Sequence, residues 1–169
     1  MSGGLTLDDE NALRALAARY ARALDRRDGA AFLEVFTRDA VLRVFDPGRT
    51  DAPYGIVHGH GELRHILDRI ARYDATFHTL GQAVYEPAPG GATGEVYCTA
   101  RHLTRTRHEA TEFTMLIRYL DRYGIADDGW LIVDRSVVVD WTSLHVAAAP
   151  QGPVVTSRGS HSTEKHRDR

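Results

Sequence analysis

Three side chains carry the acid–base chemistry this sequence has to offer. His78 sits in YDATFHTLGQAV, with the apolar Phe77 and Leu80 on either side. His102 sits in CTARHLTR and shares strand parity with Val96, Cys98 and Ala100, a face of apolar and small groups. An imidazole titrates near ~6.5, so either ring accepts or donates a proton at neutral pH. Asp25 lies near the end of a helical stretch, just off its apolar stripe and beside the small Ala18 and Ala21. Asp28 is explained as a helix cap; Asp25 is not. Each of the three also has a plainer reading: a solvated carboxylate on a helix flank, and two hydrogen-bonded core histidines. The histidines fall on strands that follow each other in the sequence, so both can face one cavity. A carboxylate bonded to a ring nitrogen would fix the tautomer and favour the protonated form.

Other constellations carry less. VHGHGELRHI holds His58, His60 and His65, but the first two flank a glycine and the last two are not an i, i+4 pair. No HExxH or CxxC accompanies them, so structural roles are expected and no metal. There is no GxSxG elbow, and the glycines of GHGEL and APGGATG match no phosphate-binding or dinucleotide pattern. No cofactor is implied. Cys98, the single cysteine, sits mid-strand and is expected to be a packed thiol.

The elements that must position these groups follow from periodicity. Leu13, Leu16, Ala17, Tyr20 and Leu24 form one stripe of a helix over Asp8–Arg27, and RRDGAAFLEVF restarts a short one. DAVLRVF reads as a strand, DPGRTDAPYG as a loop, and GHGELRHILDRIARY as a third helix. After Tyr73 the period becomes alternating. TFHTLGQAVYE, EVYCTARHLTRT, EFTMLIRYLDRY and WLIVDRSVVVDWTSLHV are then four long strands. Helices first and strands after give an α+β domain over residues 1–146, a curved, mostly antiparallel sheet wrapped around three N-terminal helices as a cone. The mouth of such a cone is a natural small-molecule pocket. Residues 147–169 lose periodicity and are expected to be a flexible C-terminal tail, where His161 and His166 carry no inference.

Composition narrows the partners. A chain of 169 residues with 43% hydrophobic and 26% charged residues suits one soluble domain. A formal charge of −2 argues against nucleic-acid or membrane-surface binding, which need a basic excess. No apolar run reaches the ~18 residues of a membrane span, and the N-terminus lacks the pattern of a secretory signal. One cysteine fits a reducing cytoplasm.

Across Leu7–His145 the chain resembles the nuclear transport factor 2-like superfamily, and within it the SnoaL-like proteins. The likeness rests on YARALDRRDGAAFLEVFTRDAVLRVF, GHGELRHIL, TFHTLGQ and DDGWLIVDRSVVVDW in that order and spacing. The layout is similar to scytalone dehydratase and lindane dehydrochlorinase, two lyases of this fold. That resemblance implies a dyad of Asp25 and His78 acting as base, with His102 as a second active-site histidine. It departs where the dehydratase holds a water through two tyrosines, since Leu24 and Phe45 stand there, and where it uses an asparagine, since Met115 stands there.

The reading that follows is a cofactor-independent lyase or isomerase acting on a small apolar or aromatic metabolite, as in polyketide or aromatic metabolism. Asp25 orients and charges His78, His78 removes a proton from carbon, and His102 donates to the departing or enolising oxygen. Tyr20, Phe45, Tyr54, Met115 and Trp141 are expected to bind substrate. A homo-oligomer, dimer or trimer, is expected through the sheet, where Arg101, Leu103, Arg105, Arg118 and Leu120 mix charge with apolar surface. Two alternatives stand beside it: a non-catalytic ligand-binding or dimerisation module, and the small subunit of a ring-hydroxylating dioxygenase.

Overall fold

Thr6 starts the first helix, α1 (Leu7–Arg26), through a reciprocal cap: Asp9 N donates to its hydroxyl and its own N–H donates to the Asp9 carboxylate. The structure is a computed structural model and describes residues 4–49, 51–127 and 129–148. Arg27, at φ 54°, ends α1 in the left-handed conformation. Asp28 then caps α2 (Gly29–Leu33) by accepting from Ala31 N at 3.1 Å. The apolar stripe of α1, from Leu13 to Leu24, is buried against the sheet.

The remaining elements are β1 (Phe36–Phe45), β2 (Gly55–His58), α3 (Gly59–Leu63), α4 (His65–Ile70), β3 (Ala75–Ala88), β4 (Gly91–Arg105), β5 (Glu109–Ala126) and β6 (Gly129–Ala148). They form one six-stranded sheet in the order β2-β1-β6-β5-β4-β3. Only β1–β6 is parallel; the other pairs are antiparallel. Register slips between Leu80 and Ala83 on β3, and at Leu116/Ile117 and Arg122/Tyr123 between β5 and β6, mark bulges. A bulge bends its strand and strengthens the twist, and these curl the sheet around the helices as the α+β cone that the sequence implies.

Several details differ from the sequence reading. The third helix is two short ones, broken at Arg64. Two glycines weaken its first turn, and Leu63 is driven fully into the core while Ile66, Leu67 and Ile70 stay half-buried. The loop after β1 is followed by a four-residue strand, β2, too short to show a period. β6 runs to Ala148, where it pairs with Glu109, two residues past the expected boundary. The rest of the expected tail, 149–169, lies outside the described residues.

The core holds one ion pair that no motif announces. Arg135 and Asp121 are fully buried and bonded twice, Nε to Oδ1 at 2.8 Å and Nη2 to Oδ2 at 2.7 Å. Tyr123 donates to the same carboxylate at 2.6 Å. The guanidinium lies over the rings of both Tyr20 and Tyr119, at 4.0 and 4.2 Å from their centroids. No helix of the described residues is long and apolar enough to cross a membrane.

Candidate active site

The last turn of α1 and the start of β3 meet at Asp25. Its carboxylate accepts from His78 Nδ1 at 2.6 Å, from His78 N at 3.0 Å and from the Thr76 hydroxyl at 3.0 Å. Thr76 and His78 share the inward face of β3, so one strand supplies three donors to one carboxylate. The backbone bond fixes Asp25 against the strand, and the imidazole bond fixes the ring. The His78 side chain is 3% exposed and that of Asp25 is 21% exposed.

A carboxylate only accepts, so His78 carries its proton on Nδ1 and leaves Nε2 as the working nitrogen. His102, on the inward face of β4 and 1% exposed, points its Nδ1 at the Phe113 carbonyl at 3.4 Å. A carbonyl also only accepts, so this ring too has Nδ1–H and a free Nε2. Sequence reasoning expected His102 to donate; held this way and neutral, it accepts. Burial pushes its pKa below the ordinary histidine value, and the nearby His78 pushes the same way. The Phe113 bond and Asp25 oppose them. The two rings stand edge to face with centroids 5.9 Å apart.

Both rings line a hollow of about 340 Å³ under the sheet, at the small end of the range for small-molecule sites. Its walls are apolar: Leu24 from α1, Leu42 and Val44 from β1, Met115 and Ile117 from β5, Val139 from β6. Tyr73 also lines it and packs its ring 4.6 Å from that of His102. Asp25 is not in the wall. It stands behind His78, on the flank of α1.

Of the substrate-binding residues expected from sequence, Tyr20, Tyr54 and Met115 line the hollow. Tyr20 is buried at the floor over Arg135, and burial raises its pKa. Tyr54 is largely exposed at the mouth. Phe45 and Trp141 are corrections. Phe45 has the parity of Arg43, which bonds Asp134 away from the hollow, whereas Leu42 and Val44 face inward. Trp141 is turned out by the bulge: Leu116 pairs with Trp141 but Ile117 pairs with Val139, so Asp140 is the extra residue. Thr142 takes the inward place, and Trp141 is 60% exposed on the outer face.

Cys98 is buried on the inward face of β4, and burial raises its thiol to about 11, a packed group and not a nucleophile. His60 bonds the Phe36 carbonyl at 3.2 Å and His65 pairs with Asp68 at 3.1 Å. Among the described residues no three His, Cys, Asp or Glu side chains gather as metal ligands. Sequence reasoning missed Thr76, Tyr73 and Phe113. Strand parity with His78 was a signal for Thr76. Tyr73 and Phe113 had none, because their place depends on how β3, β4 and β5 pair.

The sequence profile of the SnoaL-like domain matches residues 5–136. The chain belongs to this family. Solved structures share the fold of this SnoaL-like domain. A candidate scytalone dehydratase from Novosphingobium aromaticivorans is 20% identical, covering 85% of this chain and 92% of that one, with a TM-score of 0.69. LinA is 14% identical over 80% and 90%, with a TM-score of 0.64. The beta subunit of a candidate aromatic-ring-hydroxylating dioxygenase from N. aromaticivorans is 18% identical over 78% and 88%, also at 0.64. At such identities the likeness is one of fold. No protein of curated function matches the sequence.

Proposed function

We propose that this SnoaL-like domain is a cofactor-independent lyase or isomerase whose base is His78, oriented by Asp25. The observation that carries the reading is the 2.6 Å bond from His78 Nδ1 to Asp25 behind a ring that opens on an apolar hollow. Nε2 of His78 removes a proton from a carbon next to an electron-withdrawing group. The carboxylate stabilises the imidazolium that forms. The same Nε2–H then returns the proton, to a departing hydroxyl in an elimination or to another carbon in an isomerisation, so the ring ends as it began. His102, as acceptor, holds a substrate hydroxyl and turns the molecule toward His78. The apolar walls support a small apolar or aromatic substrate and exclude water, which strengthens each charge interaction within.

The test needs no knowledge of the natural substrate. A panel of cyclic and aryl ketones is incubated with the protein in heavy water, and loss of the acidic C–H signal is followed by NMR. The full chain should exchange at least one ketone faster than buffer does, and His78→Ala should slow that exchange by at least about a hundredfold. Equal rates in variant and parent would remove His78 from the chemistry and favour a non-catalytic binding module.

A homo-oligomer through the outer sheet face is part of the same proposal. Phe77, Val84, Tyr97, Leu120 and Trp141 expose apolar surface there, around an Arg118 that binds Asp140 and Glu95.

A further inference from the structure

The mouth of the hollow is chemically unlike its walls. Arg69, at the end of α4, and Arg72, in the turn after it, both line the cavity. Among the described residues neither has a carboxylate within 4.0 Å, although Arg43, Arg118 and Arg135 all do. Arg72 Nε donates to the Arg69 carbonyl at 3.2 Å. That bond ties the second guanidinium to the backbone beside the first and leaves its two terminal nitrogens free. Arg69 reaches across the opening toward β2, where its Nη1 lies 4.0 Å from the point a Cβ on Gly55 would occupy. Both donor sets therefore sit over one entrance, below which the walls are mostly hydrocarbon and, among the described residues, the ionisable side chains are the two imidazoles, Tyr73 beside His102 and the two floor tyrosines.

We infer that the hollow takes an organic monocarboxylic acid, its ring against the apolar wall and its carboxylate on Arg69 and Arg72. This names the substrate class for the proposed lyase or isomerase and rests on the same hollow, though not on its chemistry. Two guanidinium groups lining one cavity offer the planar, forked donors that a carboxylate accepts in pairs. An uncharged ligand would gain from them at most a single-acceptor hydrogen bond, without the attraction of opposite charges. Asp46 also lines the mouth and has no ion pair within 4.0 Å among the described residues. Its charge disfavours a second carboxylate, which is why the acid is a monoacid. The cavity of about 340 Å³ suits one or two fused rings.

The test compares 2-naphthoate with 2-naphthamide, which has the same ring and nearly the same shape but no charge. Both are titrated into the full chain by calorimetry, with the His78 and His102 imidazole resonances as reporters of occupancy. The acid should bind about tenfold more tightly than the amide, the yield of a partly exposed charge-assisted contact. In Arg69→Gln with Arg72→Gln that preference should vanish, because the acid loses affinity and the amide loses far less. Added salt should weaken the acid alone. Equal affinity of acid and amide, a preference that survives the double variant, or binding of neither at millimolar concentration would each overturn the inference. His78→Ala separates it from the catalytic reading: the acid preference should persist there although carbon-proton exchange is lost.

Discussion

Replacing Asp25 by asparagine should cost activity far more than stability, for a reason that can be worked out bond by bond. The carboxylate is an acceptor at both oxygens: Oδ1 takes the His78 Nδ1 proton and the Thr76 hydroxyl, and Oδ2 takes the His78 N–H. An amide keeps one acceptor and brings one donor. If its oxygen stays against the imidazole, its NH2 meets the His78 N–H, and two donors face each other at a cost of about 1–3 kcal/mol. If it turns round, the oxygen accepts the His78 N–H and the NH2 donates to Nδ1. The Thr76 hydroxyl then rotates to accept, and every polar group is satisfied. That second arrangement wins, and it forces the His78 proton onto Nε2. The lone pair that faces the hollow is gone in all but roughly 1–20% of molecules, since 1–3 kcal/mol is a ratio of about 5–150. Loss of the negative charge behind the imidazolium removes about another tenfold. The expected fall in exchange rate is therefore about 10²–10³-fold, with a stability change of only about 1 kcal/mol. Carbon-proton exchange reads the first, urea unfolding the second, and NMR of the imidazole nitrogens reads the tautomer directly. A variant that keeps the proton on Nδ1, or one that exchanges at the parent rate, would refute the reasoning.

Two further outcomes follow from buried groups. His102 faces His78 on β3, Tyr73, the Phe113 carbonyl on β5 and, more distantly, Asp25 on α1, and burial first and His78 second hold its pKa below the ordinary value of about 6.5. The unfolded chain therefore binds a proton that the folded one refuses. The stability His102 contributes is full above about pH 6.5 and is lost as pH falls through its lower folded value. Urea unfolding at pH 7.5 and 5 should show a steeper loss for the parent than for His102→Leu, and equal slopes would contradict the burial argument. Asp121→Ala leaves the Arg135 guanidinium buried without its counter-charge beneath Tyr20 and Tyr119. It should lower stability by about 3–5 kcal/mol, read as a drop in the urea midpoint at unchanged slope, and a change under 1 kcal/mol would show that water reaches the pair.

What the sequence disclosed, and what it hid, divides along one physical line. Periodicity reports which face of an element a residue takes while the element stays regular. It found the stripe of α1, the four long strands and the inward parity of His102, because hydrophobic burial repeats at 3.6 or 2 residues. The spacing of Asp25 from the stripe and of His78 on its strand was legible in the same way, although their contact depends on α1 crossing β3, which pattern does not encode. Parity also contained Arg135, two before Val137, and Asp121, two after Tyr119, but polar residues at inward positions are easily passed over when only apolar ones are sought. Pattern fails where a strand gains a residue. Val137 and Val139 face the hollow, and alternation carries Trp141 in after them; the extra residue at Asp140 puts Thr142 there instead. The displacement is not idle. Asp140 is held outward by Arg118, with Nε and Nη2 on its carboxylate at 2.9 and 2.8 Å, and Arg118 is held in turn by Glu95 at 3.0 Å. An ion-pair cluster on the outer face thus fixes the bulge that chooses a small threonine over a tryptophan for the inner one. With the indole turned inward, the space beside Met115 and Val139 would shrink, and the hollow the imidazoles face would be narrower.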